Sequence, residues 1–330
     1  ELWQTQFQDR LDWWSLHPVT RSEIPAVKDS AWSTQAIDRF ILAKLEEHQL
    51  RPAASADKRT LIRRLAFTLT GLPPTPQQVA EFLADDSSTA YEALVDRLLD
   101  SPHFGERWAR HWMDVVRYTD TYGYEWDIPA KGAWRYRDYL TRAFNVDVPF
   151  DQLVREQLAG DLLESPRVNE SEQINESLIG PMFFQMGEKR HGDSSEFNGI
   201  HQEMVDNKID AFSKTFQAMT IACARCHDHK LDAVSQREYY ALAGSFISSR
   251  WVTNTLDLRQ RHTDTIRTLK AIKEGLRSAL GARWRAESAK WGRESFSPSD
   301  PVASAVDNAG EKDSRPLPLE HPLYAWNRIA

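Results

Sequence analysis

The sequence has no long apolar run, only two cysteines and no excess of basic residues. No uninterrupted apolar stretch approaches the roughly 18 residues that a membrane span requires, so no transmembrane segment is expected. The 41 basic residues are outnumbered by 48 acidic ones, which gives a formal net charge of −7. This charge argues against a protein that binds the backbone of a nucleic acid.

The composition that remains is typical of a globular chain. Hydrophobic residues make up 41% and charged residues 27% of the 330 positions, which permits a sizeable packed core. The length alone predicts roughly two domains. The chain starts at Glu1 with neither an initiator Met nor the layout of a signal peptide. We therefore expect a mature or trimmed fragment whose targeting information has been removed.

The two cysteines stand three positions apart and are followed by a histidine, as Cys223, Cys226 and His227. This is the C-x-x-C-H spacing of c-type haem attachment. Two thiols can add to the vinyl groups of haem as thioethers, and the adjacent imidazole can ligate the iron. The motif predicts one covalent haem c, anchored by Cys223 and Cys226 and ligated by His227.

Three other interpretations of this motif are weaker. A disulfide between the two cysteines would close too small a loop to stabilise much. A thioredoxin-like redox pair requires a strand-to-helix context that this stretch lacks. A zinc site made by both cysteines, His227 and His229 would crowd its four ligands into seven residues, whereas structural zinc sites usually split their ligands into two separated pairs.

Hydrophobic spacing along the chain predicts a mainly α fold with long aromatic loops, the clearest at 119–135, and a C-terminal helical extension. Thr75 with Gln78, and Ser235 with Glu238, have the spacing of capping boxes. The polar stretch 187–199 is expected to be a surface loop. The expected organisation is an N-terminal strap at 1–30, a haem domain at 31–250, a charged helical extension at 251–291 and a linker at 292–330 that leads to a missing downstream domain.

Three separated stretches resemble the planctomycete-type cytochrome c domain proteins, a family that carries a domain of unknown function. The stretches are TLIRRL from Thr60 with LTGLPPTP from Leu69, GERWARHW from Gly105, and CARCHDHK from Cys223. The resemblance covers roughly Arg10 to Arg250. It implies a periplasmic or otherwise exported haem protein, usually part of a longer chain, without implying a known reaction.

The sixth ligand of the iron decides between two functions. An iron whose sixth position is filled by the protein favours electron transfer, whereas an open sixth position permits a substrate to bind and react at the iron. We rank His111 first, since it lies in a resembling stretch and is expected on the apolar face of its helix. As a core residue it could instead be satisfied by Asp114 or Tyr118. The sequence also leaves open a water-bound iron or another upstream ligand: Met113, Met182, Met186, His191, His201 or Met204.

Met219 is expected to pack against the haem edge. Phe212, Phe216, Met219 and Cys223 are spaced by four, three and four residues. This spacing predicts that the first cysteine lies on the apolar face of a helix end. Arg110 beside His111 would permit peroxidase-like chemistry at an open iron. A surface or propionate-pairing role is the alternative for this arginine.

Four carboxylates offer the hard oxygen ligands of a Ca²⁺ site, although solvated or arginine-paired carboxylates are favoured. They are Glu125, Asp127, Asp228 and Asp232. The predicted function is electron transfer to a redox partner protein outside the cytoplasmic membrane. The rivals are a haem oxidoreductase, either peroxidase-like or serving oxidation of a carbohydrate-like substrate by the downstream domain, and a haem-stapled binding module.

Overall fold

The computed structural model describes residues 2–123, 127–187, 199–250 and 252–290. The chain divides into two compact units, Glu1–Leu258 and Arg259–Ala330. The structure is mainly helical, as the hydrophobic spacing predicts. Within the described ranges, no helix is both long and apolar enough to cross a membrane.

The first unit contains ten of the α-helices in the described residues. They are α1 (Leu2–Leu11), α2 (Ala36–Glu47), α3 (Lys58–Leu69), α4 (Pro76–Ala84), α5 (Ala90–Leu99), α6 (Pro102–Val116), α7 (Ala133–Asn145), α8 (Phe150–Ala159), α9 (Ile200–Gln217) and α10 (Gln236–Ser248). Both predicted capping boxes are confirmed, at the start of α4 and at the start of α10. Helix α1 and the 3₁₀ turn Trp14–Leu16 lie where an extended strap was predicted.

Helices α6, α7, α8 and α9 surround the main core together with the 3₁₀ segment Glu176–Gln185. Tyr136, Tyr139 and Phe183 are its largest buried aromatic side chains. A separate cluster around Ile62, Phe82 and Leu94 joins α3, α4 and α5. A third cluster lies between α9 and α10 and includes residues of the C-x-x-C-H segment.

A short antiparallel hairpin closes one side of this unit. Strand β1 (Val168–Asn169) pairs with strand β2 (Ile174–Asn175). The backbone of Leu256 accepts a hydrogen bond from Asn175 N–H, and Leu258 N–H donates to Gln173. Through these contacts the segment 252–258 joins the hairpin, and the first unit ends at Leu258.

Two glutamates are buried in the main core and share one arginine. Glu156 and Glu176 are almost fully buried. Arg167 donates to both, with Nη2 3.0 Å from Glu156 Oε2. Tyr139 OH donates to Glu156 at 2.7 Å, and Arg142 donates to Glu176. We call these five residues the buried ion network; its carboxylates are paired and hydrogen-bonded inside the protein.

The second unit contains one long helix, α11 (Thr263–Lys290). Its apolar positions are exposed, at Ile266, Leu269, Ile272, Leu276 and Leu280. Part of the predicted C-terminal extension is thus a long helix with exposed apolar positions. The linker predicted at 292–330 lies outside the described residues, as does most of the predicted surface loop at 187–199.

Candidate functional site

The C-x-x-C-H segment forms a loop between α9 and α10. Helix α9 ends at Gln217, and Ala218 follows with a left-handed backbone (φ +53°). A 3₁₀ turn then spans Ile221–Arg225 and is capped by Cys226. The prediction that Cys223 lies on the apolar face of a helix end is therefore wrong, because the left-handed residue ends α9 before the cysteine, which is exposed.

In this turn the two buried residues are three positions apart, and so are the two exposed cysteines. Side chains at i and i+3 eclipse in a 3₁₀ turn. Ile221 and Ala224 are both buried in the third core cluster. Cys223 and Cys226 are both free and exposed. The turn thus anchors one side in the core and presents both thiols on the other.

The imidazole of His227 is exposed, and its Nδ1 lies 2.7 Å from the carbonyl oxygen of Asp228. A carbonyl can only accept, so Nδ1 carries the proton of this hydrogen bond. In the neutral ring the lone pair is then on Nε2. This is the arrangement of a metal-ligating histidine whose orientation is fixed by its second nitrogen.

His229, two residues further on, has the opposite environment. It is buried, and its Nδ1 accepts hydrogen bonds from the backbone N–H groups of Leu231 (3.2 Å) and Asp232 (2.7 Å). Its Nε2 lies 3.1 Å from the hydroxyl oxygen of Thr220. Both nitrogens are therefore engaged within the protein, which leaves His229 unavailable as the fourth ligand of a zinc site. Its own carbonyl oxygen accepts from Arg10 Nη1 at 2.5 Å.

Polar contacts from α9 and α10 hold the other end of the loop. Arg225 lies 3.3 Å from Asp206, whose carboxylate also accepts from Tyr239 OH at 2.6 Å. Burial raises the pKa of the Tyr239 phenol above its ordinary value, and the hydrogen bond to Asp206 adds to this shift. The carboxylate of Asp228 accepts from Gln236 N–H at 2.8 Å. Asp206 and Gln236 belong to no recognisable motif, so the sequence alone does not point to them.

Met219 and the upstream methionines lie in different parts of the core. Met219 is half-buried against the third cluster, beside the loop. Met113, Met182 and Met186 pack in or against the main core cluster, which does not include residues of the loop. His191 lies outside the described residues. Packing of Met219 against a haem edge, and ligation by any of these methionines, stay predictions.

His111 is exposed on α6, with its ring edge against Trp108 at a centroid distance of 5.6 Å. The expectation that it lies on the apolar face is wrong. The buried face of α6 is formed by Gly105, Ala109 and Val116. These small residues let α7 approach so closely that a Cβ atom at Gly105 would collide with the Thr141 backbone. A prediction that counts only large apolar residues therefore places the buried face of α6 on the wrong side of the helix.

Arg110 is also exposed, and its Nε lies 3.5 Å from a carboxylate oxygen of Asp114. This contact agrees with the surface role considered for Arg110. Among the described residues, no three His, Cys, Asp or Glu side chains converge as they would around a metal ion. Of the four predicted Ca²⁺ ligands, Glu125 lies outside those residues, and Asp228 caps the start of α10 through Gln236.

Comparison with known proteins gives one match. The model of a family described as PSCyt2, a protein of unknown function (DUF1549), matches residues 36–250. No curated protein and no solved structure matches the chain. The matched range contains the α9–α10 loop and its two cysteines, together with α9 and α10.

Proposed function

The chain belongs to the PSCyt2 family, and we propose that its C-x-x-C-H loop carries one covalent haem that serves in electron transfer. The hydrogen bond from His227 Nδ1 to the Asp228 carbonyl is the main support. It orients the ring and leaves Nε2 available, as a proximal iron ligand requires. A disulfide or a thioredoxin-like pair would have no need for a histidine held in this way.

The two cysteines fit covalent attachment. Both thiols are exposed and free, and the turn presents them on the same side. Each sulfur would bond to one vinyl group and its proton would pass to the same group, so that no oxidant is needed. Cys223 and Cys226 would thereby fix the porphyrin beside His227.

When bound, haem supplies a one-electron couple between ferrous and ferric iron. The chain contributes a loop that is held at both ends. His229 fixes the loop through backbone N–H groups, and Arg225 ties it to α9 through Asp206. The ring of His227 therefore keeps one orientation, and the exposed cysteine edge leaves access for a redox partner protein.

A haem oxidoreductase with an open sixth position is the second candidate, and the positions of four of the other ligand candidates favour it. Three of the methionines pack with the main core, and His111 is exposed. An open iron would suit peroxidase-like chemistry. An open iron would equally suit a haem domain that accepts electrons from another domain, one that oxidises a carbohydrate-like substrate.

The proposal implies an exported protein, because haem is attached to C-x-x-C-H motifs outside the cytoplasmic membrane. It is tested by producing the chain in a bacterial strain that attaches haem c. We expect the mass of the intact protein to increase by one haem, and the haem to resist extraction by acidified organic solvent. A protein that leaves this strain without haem would overturn the proposal.

Substitutions separate the roles of the two cysteines and of His227. We expect Cys223→Ser combined with Cys226→Ser to abolish covalent haem, and His227→Ala to lose the spectrum of an imidazole-ligated iron while retaining the thioethers. His103→Ala is the matched control, since His103 is also exposed and pairs with Glu106 at 2.8 Å.

Carbon monoxide distinguishes the two candidate functions. A prompt spectral shift of the reduced protein would favour the oxidoreductase, because the sixth position is then open or easily displaced. An unchanged low-spin spectrum would indicate two strong protein ligands and an electron carrier. If His111 is the second ligand, His111→Ala will convert the unchanged spectrum into the shifting one.

A further inference from the structure

A large groove in the first unit lies away from the cysteines. Its volume is about 1120 Å³, slightly above the range typical of small-molecule sites. It lies between the start of α7, the middle of α9 and the C-terminal half of α10. The segment that joins the hairpin, 252–257, closes another side. None of Cys223, Cys226 or His227 lines it.

The floor of this groove is aromatic and well packed. The ring of Phe246 lies 5.6 Å from that of Phe184 and 5.8 Å from that of Phe212, measured between centroids. Each of the three rings lines the groove, and each comes from a different element. Such a surface favours a flat ring or an alkyl body, because a ligand covers apolar area that is otherwise in water.

The rim of the groove carries more positive than negative charge. Lys131, Arg135 and Arg250 line it, and within the described part of the chain none of them forms an ion pair with a carboxylate. The Arg135 guanidinium instead lies over the Trp134 ring, 4.9 Å from its centroid. The acidic residues of the rim are Asp161 and Asp257.

A fourth cation, Lys208, reaches the groove from α9. Burial lowers the pKa of its amine, and the nearby guanidinium of Arg117 lowers it further. Burial also lowers the pKa of Arg117 itself. Two cations are thus held near each other under partial burial, and the carboxylate of Asp210 is an opposite charge near Arg117.

We propose that this groove binds an amphipathic anion: a small molecule with a flat or alkyl body and one carboxylate, sulfonate or phosphate group. The apolar body lies on the rings of Phe184, Phe212 and Phe246. The anionic group lies at the end of the groove where Lys131 and Arg135 flank the N-terminus of α7. The site is independent of the haem proposal, since it shares no residue with the loop.

Two probes with nearly the same body test this assignment on the full chain. 8-Anilinonaphthalene-1-sulfonate carries one negative charge, and N-phenyl-1-naphthylamine has the same rings without it. We expect calorimetric titration to show one saturable site for the sulfonate. Replacing both Lys131 and Arg135 by Gln should weaken it about tenfold, since charge-assisted contacts are lost, and leave the neutral probe unchanged. Arg137→Gln is the matched control, because Arg137 is exposed on the same helix and pairs with Asp138.

A blocking variant locates the probe. Ser245 lines the groove on α10, whereas Ser248, also exposed, does not. We expect Ser245→Trp to abolish binding of both probes and Ser248→Trp to leave it intact. The proposal is overturned if the sulfonate does not saturate, if Ser245→Trp leaves its affinity unchanged, or if the double glutamine variant binds it as tightly as the original chain.

Discussion

The buried ion network and the C-x-x-C-H loop use polar side chains in opposite ways. In the network, Glu156 and Glu176 are closed off from water and bonded by Arg167 and by neighbouring side chains. In the loop, the described residues offer no hydrogen bond to either thiol, and Nε2 of His227 is likewise unused. Buried polar groups that are fully bonded maintain a fold. Exposed groups with unused bonding capacity, held in a fixed orientation, are those available to a ligand.

The largest loss of stability is expected when the shared arginine of the buried ion network is replaced. Arg167→Met leaves two buried carboxylates without their shared partner, which should lower the free energy of unfolding by about 3–5 kcal/mol. Arg155→Met is the control, because Arg155 forms an exposed pair with Asp151, and it should change stability by less than about 1 kcal/mol. Urea unfolding followed by circular dichroism measures both. Equal losses in the two variants would contradict the special role of the network.

The second-largest loss of stability is expected in a comparison of two histidines of the C-x-x-C-H loop. His229→Ala should cost about 2 kcal/mol in the haem-free protein, because the N–H groups of Leu231 and Asp232 lose their buried acceptor. His227→Ala should change the stability of the same haem-free protein by no more than about 0.5 kcal/mol, since its ring is exposed. Denaturant titration of haem-free protein gives both values. A reversed order would mean that the loop is not held by His229.

The smallest expected effect is on the stability of the folded protein at alkaline pH. Burial raises the pKa of Tyr139 well above its ordinary value, and the nearby Glu156 carboxylate raises it further. The folded protein therefore keeps this proton when the unfolded chain loses it, at a pH of about 10. The stabilisation is present below that pH and is lost as the pH rises toward the folded pKa.

Tyr139→Phe should flatten the alkaline loss of stability while costing about 1 kcal/mol at neutral pH through its lost hydrogen bond. Tyr91→Phe is the control, since Tyr91 is exposed. Unfolding free energies measured from pH 7 to pH 11 give the slopes. An unchanged slope in Tyr139→Phe would refute the assignment of the alkaline loss to this phenol.

Local signals in the sequence predicted the local parts of the structure. The capping boxes at Thr75 and Ser235 depend on residues three positions apart, and both formed as predicted. The position of His111 was wrong because Gly105 and Ala109 make a packing face that carries little hydrophobic signal. The helix break at Ala218 was missed because alanine seldom adopts a left-handed backbone.

Features formed by residues that are far apart in the chain could not be predicted from the sequence. The network joins Glu156, Arg167 and Glu176 from separate elements, and no spacing rule pairs an acid with an arginine across a fold. The groove was missed for the same reason, since its aromatic floor is assembled from three elements. The C-x-x-C-H motif was found because the chemistry of its proposed cofactor fixes the spacing within one turn.

The hydrogen bond from Arg10 to the carbonyl of His229 joins residues 219 positions apart. Closing so long a loop costs more entropy than forming helical turns. We therefore expect this contact to form late, after α9 and α10 have already enclosed the loop between them. If the chain carries the haem proposed above, both cysteines would therefore be accessible for its attachment before the N-terminal helix docks.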